Sequence, residues 1–501
     1  MRRILVLLAS AGVALAGLVV TTPPAAATTG TLTVTALGRD GKPVEAAVQL
    51  GNRKKFRQYQ VTSGRPTRVP QGSYLLLVDV FNDRDGTDTL AARHVTVGAG
   101  STRVTIDARR GRRVRVALSP AAPNGYRQHF LMAACQTDGL AELEGYTYGN
   151  TLYVVPSKAN DVDLAYASLW QPVTGSGGPV IVAGTHDGGM PDGVHRTVRL
   201  ADLATIAVTA RRGIETGTAS VSLRPDGDDN CLRLISPVGA TRALPFSFAA
   251  RVSTGRWSVD GMAQDYFGTV VRAARGGHHY RVTLGRAPAG PAGLLPYTNA
   301  SQRSLHLESM QLFAGGNPGG AIADVTYDLR HRGHVLLHHS GLSDGPDVAA
   351  RLPAAGWYAV TLSGTRHPKS GQYAPDVLCP RARLRLHVYA DPSVSRSVRA
   401  FVPRFFPAGL DAGNRAAAGD TTPVGLRLVG PRRGDAVRSV HVWASADGGH
   451  SWHRVTVHHA GGRWWAAIRN PAAGFVSLRS TVLDTRGNSA TVTIYRAYGV
   501  R

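Results

Sequence analysis

Short runs of alternating apolar and polar residues, ended by Gly, Pro, Asn or Asp, recur from Thr31 to the end of the chain. Two examples are Thr151-Leu-Tyr-Val-Val155 and Ile206-Ala-Val-Thr-Ala210. Alternation places every second side chain on one face of an extended strand, whereas apolar residues at helical spacing do not persist over three turns. The sequence therefore predicts an all-β fold built from tandem β-sandwiches.

The first 27 residues have the layout of a secretory signal peptide. Arg2 and Arg3 precede an apolar stretch from Ile4 to Val20, and Ala25 to Ala27 provide the small residues of a cleavage site. No later segment contains the roughly 18 consecutive apolar residues that a membrane helix requires. We expect an extracellular protein that begins near Thr28 and has no membrane span.

The length and the changes of composition divide the chain into several units. About 470 residues follow the signal peptide, which corresponds to three or four cores at roughly 100 to 150 residues each. Segments rich in Gly, Pro and Ala at 285–293 and 411–420 predict linkers. The expected units are 28–118; 119–287, which is long enough for one or two sandwiches; 294–410; and 421–501.

The chain is strongly basic, with 57 Lys and Arg against 33 Asp and Glu. Removing Arg2 and Arg3 lowers the positive excess from 24 to 22. Such an excess favours anionic cell-envelope polymers or acidic glycans as partners, and nucleic acid only non-specifically. The positive residues are scattered along the chain, so a solvated basic surface without a specific partner is the alternative interpretation.

Three cysteines allow one disulfide and leave one thiol over. We predict the pair Cys135 and Cys231, because both belong to the unit 119–287, while pairing of either residue with Cys379 stays open. No C-x-x-C pair is present, which argues against a zinc site. We expect no cofactor.

Two turn motifs characterise the first unit. The strand Leu32–Leu37 leads into Arg39-Asp-Gly-Lys-Pro43, and Pro70-Gln-Gly-Ser73 precedes a strand in which Tyr74 and Leu76 share a face. This pattern resembles the transthyretin-like sandwich of carboxypeptidase regulatory domains. The resemblance implies a carbohydrate-binding-like fold whose members range from carbohydrate binders to spacers, so it indicates no activity.

The last unit contains four further motifs, and its strands are typical of an immunoglobulin- or fibronectin-like sandwich. They are Ser445-Ala-Asp-Gly-Gly-His-Ser-Trp452, Gly474-Phe-Val-Ser-Leu-Arg479, Asp484-Thr-Arg-Gly-Asn488 and Tyr495-Arg-Ala-Tyr498. Together they resemble the non-catalytic C-terminal accessory region of secreted actinomycete serine peptidases of the subtilisin type, most clearly over 294–501. The Asp, His and Ser motifs of that catalytic domain are absent from the sequence. The resemblance therefore implies architecture and no catalytic residue.

The run Gly341-Leu-Ser-Asp-Gly345 matches the G-x-S-x-G pattern of a nucleophile elbow. An elbow requires a helix directly after the serine, but Pro346 follows and the chain returns to strand-like sequence. We interpret this run as a hairpin turn. A secreted serine hydrolase of unfamiliar type that uses Ser343 is the alternative function.

The residues Ser445, Asp447, Gly449, Ser451 and Trp452 match the Asp-box pattern of sialidases and other β-propellers. In those families the box is a structural hairpin, remote from catalysis. Asp447 can accept hydrogen bonds from turn amides, and the glycines allow positive φ angles. We predict a structural turn, and the single copy argues against a propeller.

Acidic side chains at calcium-loop spacing occur at Asp83, Asp85 and Asp88. No bidentate Glu ends this loop, and Arg84 lies inside it, so an Asx-capped hairpin is the favoured interpretation and calcium the alternative. Likewise His334 and His338 share one face of a strand, but no third metal ligand is evident.

Adjacent Trp464 and Trp465 lie on a predicted strand in the last unit. Successive side chains of a strand point to opposite faces, so one indole is expected in the core and the other in solvent. An exposed indole is a candidate contact for a sugar or peptide. From these features we expect a secreted, non-catalytic binding or scaffolding protein that engages a cell-envelope polymer, a glycan or a separate secreted peptidase.

Overall fold

The structure is a computed structural model. It describes residues 28–52, 57–82, 86–136, 145–149, 151–173, 177–226, 230–235, 239, 241–263, 266–291, 295–307, 312–313, 323–342, 348–366, 374–430 and 436–501. The predicted signal peptide lies outside these residues. Nearly all regular secondary structure of the described chain is β-strand, with one short α-helix and two 3₁₀ turns, so the predicted all-β class is confirmed.

The first eight strands form a β-sandwich. The strands are β1 (Thr29–Leu37), β2 (Pro43–Val44), β3 (Ala47–Asn52), β4 (Arg57–Thr62), β5 (Thr67–Pro70), β6 (Gly72–Asn82), β7 (Thr87–Val97) and β8 (Ser101–Asp107). Sheet 1 has the order β2-β1-β5, with β8 paired in parallel with β1, and the strands β4-β3-β6-β7 oppose it. Strand β1 alternates as the sequence predicts, with Leu32, Val34 and Ala36 buried between the two sheets.

The next region adds fourteen strands in the described chain, with the 3₁₀ turns Ala108–Arg110 and Leu200–Asp202 and the helix α1 (Asn230–Leu234). The strands are β9 (Arg112–Ser119), β10 (Tyr126–Gln136), β11 (Gly145–Gly149), β12 (Thr151–Val155), β13 (Val162–Pro172), β14 (Val180–His186), β15 (Val194–Arg199), β16 (Ala204–Ala210), β17 (Thr218–Pro225), β18 (Arg242–Ala243), β19 (Phe246–Val252), β20 (Gly255–Met262), β21 (Tyr266–Ala274) and β22 (His279–Leu284).

In the N-terminal half of the described chain, which contains β1 to β22, neighbouring sandwiches share a sheet. Sheet 2 runs β15-β9-β12-β7-β6-β3-β4, sheet 3 runs β11-β10-β13-β14-β19-β16-β22, and sheet 4 runs β18-β17-β20-β21. Sheets 2 and 3 are covered on both faces, which explains the unbroken burial of Tyr74–Val78 in β6 and of Phe130–Gln136 in β10. Sheets 1 to 4 therefore form four layers with a core in each of the three spaces between them.

The C-terminal half contains three sheets around one continuous core. Its strands are β23 (Tyr297–Asn299), β24 (Ser304–Leu307), β25 (Ala323–His331), β26 (His334–Leu342), β27 (Val348–Arg351), β28 (Gly356–Arg366), β29 (Arg381–Ala390), β30 (Arg396–Ser397), β31 (Val402–Pro407), β32 (Arg415–Ala416), β33 (Thr421–Val429), β34 (Val437–Ser445), β35 (His453–Val455), β36 (Val457–Ala460), β37 (Arg463–Arg469), β38 (Gly474–Asp484) and β39 (Ser489–Val500).

A nine-stranded sheet joins the expected units 294–410 and 421–501. Sheet 6 runs β26-β25-β28-β29-β39-β38-β34-β35, with β32 paired to β39. Its first half packs on sheet 5, β27-β24-β23-β30, and its second half packs on sheet 7, β31-β33-β37-β36. The pairing of β29 with β39, from Ala382↔Ile494 to His387↔Ser489, joins the two sandwiches through one continuous sheet.

Two segments expected to be linkers, 411–420 and the described part 285–291 of the other, are packed joints. Asn414 is fully buried, and its amide nitrogen donates to the carbonyl oxygens of Arg212 and Gly285 at 2.9 and 2.8 Å. Its side-chain oxygen accepts from the amide of Ala287 at 3.0 Å. The side chain of Asn414 thus holds together three backbone segments, its own, that of Arg212 and that of residues 285–287. Among the described residues, no helix has the length and hydropathy needed to cross a bilayer.

Candidate ligand-binding surface

The cysteines occupy structural positions. Cys135 of β10 and Cys231 of α1 form a disulfide, with Cα atoms 5.6 Å apart and both side chains in the core between sheets 3 and 4. Cys379 is a buried free thiol. Burial raises the pKa of this thiol to about 12, and its Sγ accepts from the amide of Ala289 at 3.2 Å. A thiol in this position lacks the exposure and the low pKa of a nucleophile.

The predicted Asp-box residues form a closed turn between β34 and β35. The carboxylate of Asp447 accepts from the backbone amide of Ser451 at 2.9 Å and from the hydroxyl of Ser445 at 2.7 Å. The hydroxyl of Ser451 also donates to this carboxylate. This bond first, and then those from the Ser451 amide and the Ser445 hydroxyl, hold the pKa of Asp447 well below its usual range. The indole of Trp452 donates to the carbonyl of Gly449 at 3.0 Å. The carboxylate is thus engaged in holding the turn.

Asp83 and Asp85 lie outside the described residues, while Asp88 is placed in the core rather than in solvent. Asp88 is 4% exposed. It lies on β7, diagonal to Asp79 of β6. Burial raises the pKa of both carboxyl groups, and a hydrogen bond joins them. Two buried carboxyl groups in contact retain a proton between them.

Ser343 also lies outside the described residues. The strand before it, β26, is the edge of sheet 6, and His334 and His338 are exposed there. His338 Nδ1 lies 2.8 Å from Asp328 Oδ1. In the part of the chain that the structure describes, no three His, Cys, Asp or Glu side chains are grouped as metal ligands.

One row of residues crosses all four strands of sheet 7 on its outer face. Backbone pairing places Phe406 of β31 opposite Gly425 of β33, Gly425 opposite Trp465 of β37, and Trp465 opposite His458 of β36. Strands in a sheet lie about 4.8 Å apart, so the backbones that carry Phe406 and Trp465 are about 10 Å apart. We call these four residues the aromatic row.

Gly425 forms the floor of a trough between the two larger rings. A Cβ atom at this position would have its nearest neighbours, the carbonyl oxygen and Cβ of Phe406, at 3.7 and 3.8 Å, so an added atom would fit there in ordinary van der Waals contact. The Trp465 residue is 40% exposed, and its ring stacks on His458 with centroids 4.2 Å apart and planes 19° apart. Stacking on His458 therefore orients the exposed indole of Trp465.

Arginines border the aromatic row. Arg404 pairs with Arg427 two register positions away, on the same face of the sheet. The guanidinium of Arg404 lies 5.7 Å from the centre of the Phe406 ring. Burial lowers the pKa of Arg404, and the charge of Arg427 adds to this effect. A small cleft beside the row is lined by Arg404, Phe406 and residues 286–288, 290 and 291, among others. Positive charge thus borders one side of an apolar trough.

Trp464 faces the other side of sheet 7. It packs against the C-terminal core and stacks on His459, with centroids 3.9 Å apart. The opposite orientations of the adjacent tryptophans follow the alternation predicted from the sequence, and only Trp465 belongs to the outer trough. Sequence reasoning missed Phe406 and Gly425, because their proximity depends on the pairing of strands far apart in the chain.

Comparisons with known proteins assign no family. No family model matches the chain, and no curated protein matches it. The Bacillus anthracis TIE protein aligns with 51% of this chain and 50% of its own at 9% identity and a TM-score of 0.14. The first eight immunoglobulin domains of Down Syndrome Cell Adhesion Molecule align with 94% and 84% at 9% identity and a TM-score of 0.16.

A third structure, elastase-activated Escherichia coli alpha-2-macroglobulin, aligns with 94% of this chain and 53% of its own at 10% identity and a TM-score of 0.17. Superpositions at these TM-scores do not establish a common architecture for the whole chain.

Proposed function

We propose that this chain is an extracellular, non-catalytic binding protein that holds a glycan on the outer face of sheet 7. The observation that carries the proposal is the aromatic row of Phe406, Gly425, Trp465 and His458. The apolar face of a sugar ring stacks on aromatic side chains, and a glycine floor lets the ring approach the sheet backbone. The trough between Phe406 and Trp465 has the width of about two strand spacings, which suits one sugar ring.

The bordering arginines suit the polar edge of a sugar. Arg427 is exposed next to the trough, and Arg404 lies beside Phe406. Guanidinium groups donate several hydrogen bonds in a plane and bind carboxylates in a bidentate manner. An apolar trough with a few polar groups at its edge is the usual composition of a ligand site. These features favour a glycan that contains acidic sugars.

The chemistry of the described residues supports a binding role. Three groups have strongly raised pKa values, the carboxyl of Asp79, the thiol of Cys379 and the phenol of Tyr498. Burial is the largest cause of each shift. Tyr498 donates to the side chain of Asn470 at 3.0 Å, which is a structural contact. The disulfide between Cys135 and Cys231 fits an oxidising compartment outside the cytosol.

The test is binding of the purified protein to a glycan array, followed by titration calorimetry with the strongest glycan. Trp465→Ala removes the exposed ring, and Gly425→Val fills the trough while leaving both rings in place. We expect each variant to weaken binding at least about tenfold, or about 1.4 kcal/mol.

The matched control is Trp357→Ala, because Trp357 is 39% exposed but belongs to sheet 6. Unchanged affinity in both sheet 7 variants, or an equal loss in the control, would overturn the proposal. Absence of binding to every glycan on the array would also count against it.

A further inference from the structure

A second charged surface lies on the outer face of sheet 6. In β29, Arg381, Arg383 and Arg385 alternate with the buried Ala382, Leu384 and Leu386. Alternation in a strand directs all three arginines to the face opposite the core. Successive arginines on that face are two residues, or about 6.8 Å, apart along the strand.

A fourth arginine joins this line from another part of the chain. Arg383 pairs with Thr493 of β39, which in turn pairs with Arg479 of β38, so the three residues form one row across the sheet. Burial lowers the pKa of Arg479, and the nearby charges of Arg385 and Arg383 contribute to the lowering. We call Arg381, Arg383, Arg385 and Arg479 the arginine patch.

The patch has little negative charge around it. Among the described residues, none of its four members forms an ion pair. The acidic residues on the same face, Asp324 and Asp328, lie on β25, two strands away from β29, and Asp328 is bonded to His338. Like charges on neighbouring positions of a sheet destabilise it. The fold thus maintains a concentration of positive charge that an external anion would neutralise.

Aromatic and hydroxyl side chains hold the guanidinium groups in place. Arg381 lies 4.4 Å above the ring of Tyr495, and Arg479 lies 4.0 Å above the ring of Trp452. The Nε of Arg383 donates to Ser363 Oγ at 2.9 Å. These contacts orient the arginines and also cover one face of each ring, which leaves less aromatic surface for stacking a nucleic-acid base.

We propose that the arginine patch binds a linear polyol phosphate, in which short polyol units alternate with phosphodiester groups. Guanidinium groups bind phosphate oxygens in bidentate geometry, and a line of arginines at regular spacing matches an extended polymer with one charge per repeat. The covered rings favour a polymer without bases over single-stranded nucleic acid. This surface and its ligand are distinct from the trough of sheet 7.

The test measures binding of the full protein to fluorescent poly(glycerol phosphate) as a function of salt. The variant is Arg381→Gln with Arg385→Gln, and the charge-matched control is Arg113→Gln with Arg115→Gln, two exposed arginines of β9. We expect the patch variant to bind at least about tenfold more weakly, and its slope of log affinity against log salt to fall by about 2, one for each lost phosphate contact. The control should retain most of the affinity.

Three outcomes would overturn the proposal. An equal loss in the control would show that general charge binds the polymer, and tighter binding of an oligothymidylate of equal charge would assign the surface to nucleic acid. Tighter binding of polygalacturonate would assign it to carboxylated glycans. Trp465→Ala should leave polyol phosphate binding unchanged, so failure of the glycan proposal and failure of this one are distinguishable.

Discussion

At the scale of single residues, two carboxyl groups, those of Asp79 and Asp88, are joined by a hydrogen bond. Asp79 and Asp88 meet at the end of the hairpin formed by β6 and β7, on the side of the core between sheets 2 and 3. Burial is the main reason that the pKa of Asp79 is raised well above its usual value, and the hydrogen bond and charge of Asp88 add to it. The folded protein therefore binds a proton that the unfolded chain releases.

This shift predicts how stability depends on pH. Because the folded-state pKa of Asp79 is above its unfolded value of about 3.9, its contribution is greatest below that value and is lost as the pH rises through the folded-state pKa. Asp79→Asn replaces the protonated acid by a neutral amide, so we expect the free energy of unfolding at pH 7 to rise by about 1–2 kcal/mol. Urea unfolding at pH 5 and pH 8 measures this change.

The control is Asp187→Asn, which also removes one carboxylate but at an exposed position. If Asp79→Asn destabilises the protein equally at both pH values, the two carboxyl groups do not share a proton.

At the scale of strands and sheets, the recurring feature is a sheet that serves two sandwiches. In β6, the adjacent Leu76 and Leu77 belong to different cores, one on each face of sheet 2. A strand with one solvated face would have only one of them buried. The continuous burial in β6 and β10 is thus a property of the layered arrangement.

We predict that Leu76→Ala and Leu77→Ala both lower the free energy of unfolding, by about 2–5 kcal/mol each, because each variant leaves a cavity in its own core. The exposed Ser73→Ala on the same strand should change it by less than about 0.5 kcal/mol. Urea denaturation followed by circular dichroism compares the three variants. A small effect at Leu77 alone would contradict burial of the second face.

At the scale of the whole molecule, a buried ion pair ties the two halves together. Glu215 follows β16, Arg366 ends β28, and their side chains are bonded with 2% and 1% exposure. Arg366 also donates to the carbonyl oxygen of Ile214 at 2.8 Å. Together with Asn414, this pair makes the junction between the halves a defined interface.

Removing one member of a buried pair leaves the other charge uncompensated. We therefore expect Arg366→Met to lower the free energy of unfolding by about 3–5 kcal/mol, and Arg366→Met with Glu215→Met to recover much of the loss. Chemical denaturation monitored by tryptophan fluorescence checks both. Equal stability of the single and double variants would mean that the pair contributes no specific coupling between the halves.

The sequence alone determined the local features of this protein. Period-2 alternation predicted the all-β class and the opposite orientations of Trp464 and Trp465, because both depend only on strand geometry. The same alternation is visible in Arg381-Ala-Arg-Leu-Arg385, and it was the available signal for most of the arginine patch. The turn at Asp447 also follows from neighbouring residues.

Only the tertiary structure decided which strands became neighbours. The aromatic row unites Phe406, Gly425 and Trp465 through strand register. The described residues 285–291 and the segment 411–420 contain small residues because packed joints, like linkers, favour them. The sequence predicts Asp88 in a surface loop, but Asp88 is buried because sheet 3 covers β7. Local pattern specifies the face on which a side chain lies, whereas long-range pairing specifies what it meets there.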